Sequence, residues 1–173
     1  MQYGATRLFY EMLATNFSRD SYVFDAIETR AGEAQFEFAG SPLATMIMHL
    51  GVAAPKESPS DRTIEAGRSI LIFFMLDLGG NKAPIAIEHS LRVLDDKGGA
   101  HDVVLAPLPV SNESPIVVAP PLRGEWIAGD SVNNGPDADH RRAVMILGGH
   151  PWLAQRYAID WVQIQTVDGV RTT

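Results

Sequence analysis

The residues with the most chemical potential lie in the last quarter of the chain. There Asn133-Asn-Gly-Pro-Asp-Ala-Asp139 runs into His140-Arg-Arg142, and Arg156 and Asp160 follow. A loop rich in Asn, Gly, Pro and Asp hydrogen-bonds its own backbone and so holds a defined shape. Guanidinium groups beside such a loop bind a carboxylate or another polar group through two parallel N–H···O bonds. On that reading Asn134, His140, Arg141, Arg142 and Arg156 form a binding set for a polar or anionic ligand. The same arginines also suit a plainer task, pinning the loop by pairing with Asp137, Asp139 or Asp160. The sequence leaves both open.

Catalytic chemistry finds less support. The five histidines are His49, His89, His101, His140 and His150, and no two lie within four residues of each other, so none has zinc-ligand spacing. His89 shares a strand face with Leu91 and Val93, which predicts a hydrogen-bonded core histidine. His101 beside a hairpin turn and His49 near a helix end read as surface or capping residues. The chain has no cysteine and no G-x-S-x-G elbow, so no activated nucleophile is visible. Leu78-Gly-Gly-Asn81 and Lys97-Gly-Gly99 fit neither the Walker nor the dinucleotide pattern. Asp95-Asp96 and Asp137 with Asp139 fall in turns, where capping the backbone accounts for them. A hydrolase built on His140 and Asp160 would need a nucleophile or metal that the sequence does not supply. Trp126, Trp152 and Trp161 read as core or interface anchors.

The elements that must position these groups are mostly strands. Leu8, Tyr10, Met12 and Ala14 alternate with polar residues, as do Phe36 and Phe38, and Tyr22 to Ile27 lies between them after an Asn16–Asp20 turn. From Ser41-Pro42, Leu43, Met46, Ile47 and Leu50 fall at helical spacing, with Ser41 as N-cap and Gly51 as C-cap, which predicts one short helix. Residues 52–67 read as a surface loop. Ser69 to Leu78 is an apolar run that predicts a central strand buried on both faces. Ile87, His89, Leu91 and Val93 alternate up to Asp95-Asp-Lys-Gly-Gly99, the clearest hairpin signal in the chain, which returns through His101 to Leu105. A Pro-rich connector spans 107–121 with a short strand expected at Ile116–Val118. Ala143–Leu147 and Tyr157–Gln165 are further expected strands, and Gly148-Gly-His-Pro151 looks like a hairpin turn.

This pattern, with no βαβ alternation, predicts a mainly β fold: an antiparallel, immunoglobulin-like β-sandwich over residues 1–118 with one short helix, followed by additional C-terminal strands over 119–173. A chain of 173 residues with 46% apolar and 20% charged residues is long and apolar enough for a sizeable core. A net charge of −7 without clustered Lys and Arg argues against a nucleic-acid partner. The longest apolar run, Ile70 to Leu76, is far short of the roughly 20 residues that span a bilayer. Met1-Gln-Tyr-Gly-Ala-Thr-Arg-Leu8 shows no signal peptide, so the chain reads as cytoplasmic as written, or as periplasmic or cell-envelope if it is a trimmed piece.

The order P-L-R-G-x-W at 121–126, N-G-P at 134–136, H-R-R-A at 140–143 and A-Q-R-Y-A-I-D-W-V at 154–162 resembles the lysostaphin-like zinc endopeptidases of peptidoglycan, metallopeptidase family twenty-three. In one subgroup of that family a β-sandwich precedes the peptidase domain, and the early L-x-x-N-F turn and E-F-A-G-x-x-L-A segment resemble the start of that sandwich. The resemblance implies a zinc motif H-x-x-x-D, followed later by an H-x-H. Asp160 matches the aspartate, and stands as the one metal-ligand candidate of an incomplete site. The position four residues earlier is Arg156, and a guanidinium cannot ligate zinc. No H-x-H occurs in the 173 residues.

The function expected on these grounds is a non-catalytic, accessory N-terminal region of a bacterial cell-wall metallopeptidase-like protein. No cofactor is expected in this chain, although zinc serves the full-length family. Peptidoglycan or a missing peptidase domain are the expected partners, with self-association through the C-terminal strands as a further possibility. The alternative is a free-standing β-sandwich binding module for a polar or anionic ligand. An apolar surface left exposed between 143 and 163 is the expected mark of a missing partner sheet.

Overall fold

The computed structural model describes residues 5–51, 61–111, 113–114, 116–119, 122–130, 132, 139–167 and 170–172. The chain divides into two units, Met1–Glu113 and Ser114–Thr173, so the division falls ahead of residue 118, the boundary expected from the sequence.

In the first unit β1 (Arg7–Thr15), β2 (Tyr22–Ala31) and β3 (Ala34–Ala39) lead into α1 (Gly40–Met46). Then come β4 (Ile47–His49), β5 (Thr63–Ile64), β6 (Ser69–Asp77), β7 (Ala86–Asp95), β8 (Ala100–Val104) and β9 (Leu108–Pro109). All their pairings are antiparallel. One sheet runs β1-β6-β4; the other runs β3-β2-β7-β8, with β5 added to β2 and β9 to β7. The fold is mainly β with antiparallel sheets, as the alternating sequence pattern dictates.

Both sheets feed one core. Ile70, Ile72, Phe74 and Leu76 of β6 meet Phe24 and Ile27 of β2, Ile87 and Leu91 of β7, and Leu43 and Met46 of α1. Each such side chain contributes about 1.5–3 kcal/mol by leaving water. Leu71 and Phe73 are buried as well, so β6 is buried on both faces, as its continuous apolar run predicts.

Phe24 and Ile27 are three residues apart yet both enter the core, which a regular strand would not allow. The register against β7 slips between Phe24 and Ala26, leaving Asp25 as the extra residue of a β-bulge. Arg62 satisfies the carbonyls that the bulge exposes: its Nη1 donates to Phe24 O at 2.9 Å and Asp25 O at 3.3 Å.

Three expectations are corrected in outline. The helix stops at Met46, and Ile47 turns extended and pairs with Ile72 instead of continuing toward Leu50; a β-branched residue buried against β6 gains more as a strand. The cap is Ala39 with no side-chain hydrogen bond, where Ser41 was expected. Ile116–Val118 forms no strand and its side chains are exposed, because β propensity without a sheet to pack on yields no strand. The two-residue strands β5 and β9 are too short to show periodicity. Residues 52–60 of the expected loop lie outside the described residues.

The second unit contains β10 (Trp126–Asp130), α2 (Asp139–Arg142), β11 (Met145–Leu147), β12 (His150–Trp152), β13 (Asp160–Gln163), β14 (Gln165–Val167) and β15 (Val170–Thr172). Among the described residues they pair as β10-β13, β11-β12 and β14-β15. Gly148 and Gly149 close the β11–β12 hairpin with φ of 59° and 80°, the left-handed pair that a tight two-residue turn demands. The expected strand Tyr157–Gln165 begins only at Asp160, since residues 154–157 form turns held by Arg156 N–H to Leu153 O and Ala158 N–H to Gln155 O.

Candidate functional site

Residues 139–142 form a single helical turn, α2, which carries His140, Arg141 and Arg142, and Val144 N–H closes it onto Arg142 O at 2.8 Å. Asp160 opens β13, whose register against β10 shifts between Ala128 and Asp130. Gly129 sits at that irregularity, with Val162 Cγ2 only 3.2 Å from where a Cβ would be. These two elements bring His140 Nε2 to 3.2 Å from Asp160 Oδ1. The imidazole is 14% exposed and the carboxylate 65% exposed, so the pair is enclosed at the histidine and open at the aspartate.

The arginines diverge. Arg141 is 1% exposed and is engaged by other groups, as a buried guanidinium must be. Arg142 is half-buried and also engaged. Arg156 is half-buried, with its guanidinium carbon 5.9 Å from the centroid of the Tyr157 ring. Asn134 and Asp137 lie outside the described residues. Of the expected set, the structure therefore joins His140 to Asp160 and withdraws Arg141 from solvent. Trp126 and Trp161 are half-buried, whereas Trp152 is exposed and donates to Leu147 O at 3.4 Å.

The zinc chemistry implied by the family resemblance can be tested against this donor set. A catalytic zinc takes three protein ligands and keeps a fourth position open. His140 and Asp160 offer two donors, and Arg156 contributes none. Among the described residues no group of three His, Asp or Glu suited to a metal ion occurs. The described residues do not fit a catalytic zinc. What the His140–Asp160 pair can do chemically is fix orientation: the carboxylate holds the imidazole ring in one position.

Two further constellations lie in the first unit. His89 is 4% exposed and its Nε2 is 2.9 Å from the Tyr10 hydroxyl, which joins β7 to β1 across the core. The strand pattern predicts the buried histidine but not its partner, 79 residues away. Phe74 stacks on Tyr10 at 4.8 Å and meets His89 edge-on at 5.4 Å. His101 is exposed and reaches Asp95 Oδ2 at 3.0 Å; this ring and the Gly99 N–H hold the Asp95 carboxyl below the usual carboxylate range. His49 lies in β4 with Nε2 2.8 Å from Asp61 O.

The outer face of the larger sheet carries a hollow of about 510 Å³ lined by Glu28, Arg30, Gln35, Glu37, Glu88 and Ser90 among others. The register sets Glu28 opposite both Glu37 and Ser90, and Arg30 opposite both Gln35 and Glu88. Arg30 Nη1 is 3.8 Å from Glu88 Oε2. Sequence alternation places these residues on one face but does not show that the face is concave. Comparison of the chain with models of known protein families, with curated proteins and with solved structures finds no match.

Proposed function

We propose that this chain is the non-catalytic accessory region of a bacterial cell-wall metallopeptidase-like protein, a β-sandwich followed by the opening strands of a peptidase-like β domain. The observation that carries this reading is the apolar surface of the second unit. Met145, Ile146, Leu147, Trp152 and Val162 are exposed there on sheets that have two strands among the described residues, and Ile159 is exposed just ahead of β13. Isolated two-stranded sheets are marginal in water, and exposed apolar side chains of this number mark a surface built to be covered. Further strands of a peptidase-like sheet suit that surface; self-association through the same strands is the competing use. The arginine-bearing segment around α2 then orders the junction, with peptidoglycan as the polar polymer that the whole protein serves.

Limited proteolysis of the full chain tests this. Cleavage is expected to fall beyond Glu113 first, degrading the second unit while a fragment that contains β1 to β9 persists. A chain that resists as one piece, with both units protected equally, would instead favour the free-standing binding module.

A further inference from the structure

The Tyr10–His89 contact joins the two sheets of the first unit, and the sequence assigns it no task. Tyr10 comes from β1 in one sheet and His89 from β7 in the other, with 2.9 Å between hydroxyl oxygen and Nε2. Burial pushes the Tyr10 phenol well above its ordinary range, and the nearby Thr29 hydroxyl offsets this only in part. Thr29 Oγ1 is itself buried and makes no hydrogen bond of good geometry. The tyrosine therefore stays neutral, and its hydroxyl meets Nε2 as donor when the ring proton sits on Nδ1 and as acceptor when it sits on Nε2. Either tautomer of the neutral ring completes the bond.

The surroundings of the imidazole are apolar. Phe74 of β6 lies against the ring, and Thr29 of β2 is directly opposite His89 in the register. Phe36 and Phe38 of β3 and Ile87 and Leu91 of β7 belong to the same core. Tyr10 is the hydrogen-bond partner of the His89 ring. Glu28, Arg30, Glu37 and Glu88 alternate with Thr29 and His89 along the sheet and line a hollow to which Thr29 and His89 also contribute. Among the described residues no ion pair joins a carboxylate to His89, and a buried charge without a partner is strongly disfavoured.

We propose that the Tyr10–His89 bridge is an acid-sensitive latch between the two sheets of the sandwich. Protonation removes the tautomer that accepts the Tyr10 O–H, and whichever tautomer is present it also places a cation among Phe74 and the aliphatic core. Both effects are relieved when the sheets part and water reaches the ring. The proposal is independent of the cell-wall reading, since it concerns the first unit alone. Burial holds His89 below its ordinary value, which fixes the sign. The latch stabilises fully above the unfolded histidine pKa of about 6.5 and is lost as pH falls through the lower folded value.

Denaturant unfolding of the full chain between pH 8 and pH 5, for the wild type and for His89→Gln, tests the latch. In the wild type the unfolding constant of the first unit is expected to rise by up to about tenfold per pH unit below about pH 6.5. In His89→Gln that added rise disappears, although the other four histidines remain. An identical pH dependence in both chains overturns the proposal. Should His89→Gln not fold, histidine ring resonances of the wild type decide it. His89 must titrate below the ordinary histidine value of about 6.5, with amide exchange in β1 and β6 accelerating over the same pH range. Titration of His89 at or above that value overturns it equally.

Discussion

Replacing Phe74 with Ala is expected to remove about 3–5 kcal/mol from the stability of the first unit, read as a lower denaturant midpoint at unchanged slope. Phe74 is fully buried at the centre of β6. Its ring stacks on Tyr10 at 4.8 Å and meets Phe38 at 5.7 Å and His89 at 5.4 Å. Truncation forfeits the transfer free energy of the ring and leaves a cavity among three rings from three strands, which packed sheets on either side can fill only partly. Because a domain of this size has about 5–15 kcal/mol in total, such a loss is a large part of the whole. Phe74→Leu retains most of the apolar volume and should lose clearly less. Equal losses for Ala and Leu would show that the site is not packed as described.

Arg141→Ala is expected to destabilise the second unit by about 1–3 kcal/mol for each buried polar group it leaves unsatisfied. At 1% exposure the guanidinium has no solvent to fall back on, and the groups that engage it lose their cation. The change should appear as faster amide exchange in β10 and β13, with the exchange of β6 and β7 unaltered. Arg142→Ala, at a half-buried position, should cost less. A binding-module account predicts otherwise: Arg141→Ala would weaken capture of an anionic ligand and leave amide exchange in β10 and β13 as it was.

The sandwich was legible because its strands obey a period of two with one buried face, as in Ile87, His89, Leu91 and Val93 of β7. The limits of legibility are local. Leu43, Met46, Ile47 and Leu50 satisfy a helical period, yet Ile47 leaves the helix because β6 offers it a strand partner, and a seven-residue window cannot separate those outcomes. The Asp25 bulge breaks the period inside β2 and leaves no mark in composition. Ile116–Val118 has the composition of a strand and stays exposed.

At the candidate site the residue types were legible and their pairing was not. The chain shows His140, Arg141, Arg142 and Asp160, but which of them faces Asp160 depends on how α2 meets the start of β13. The structure gives that contact to His140 and buries Arg141. Tyr10 and His89 illustrate the same limit, since no spacing rule links residues 79 apart on different sheets.

Zinc content is the most direct measure of the central claim that this chain is an accessory region with an incomplete metal site. After incubation with excess zinc and exhaustive dialysis, the full chain is predicted to retain far less than one zinc per molecule and to release no fragments from purified peptidoglycan. One tightly held, chelator-sensitive zinc per chain, lost in Asp160→Ala together with peptidoglycan release, would contradict it.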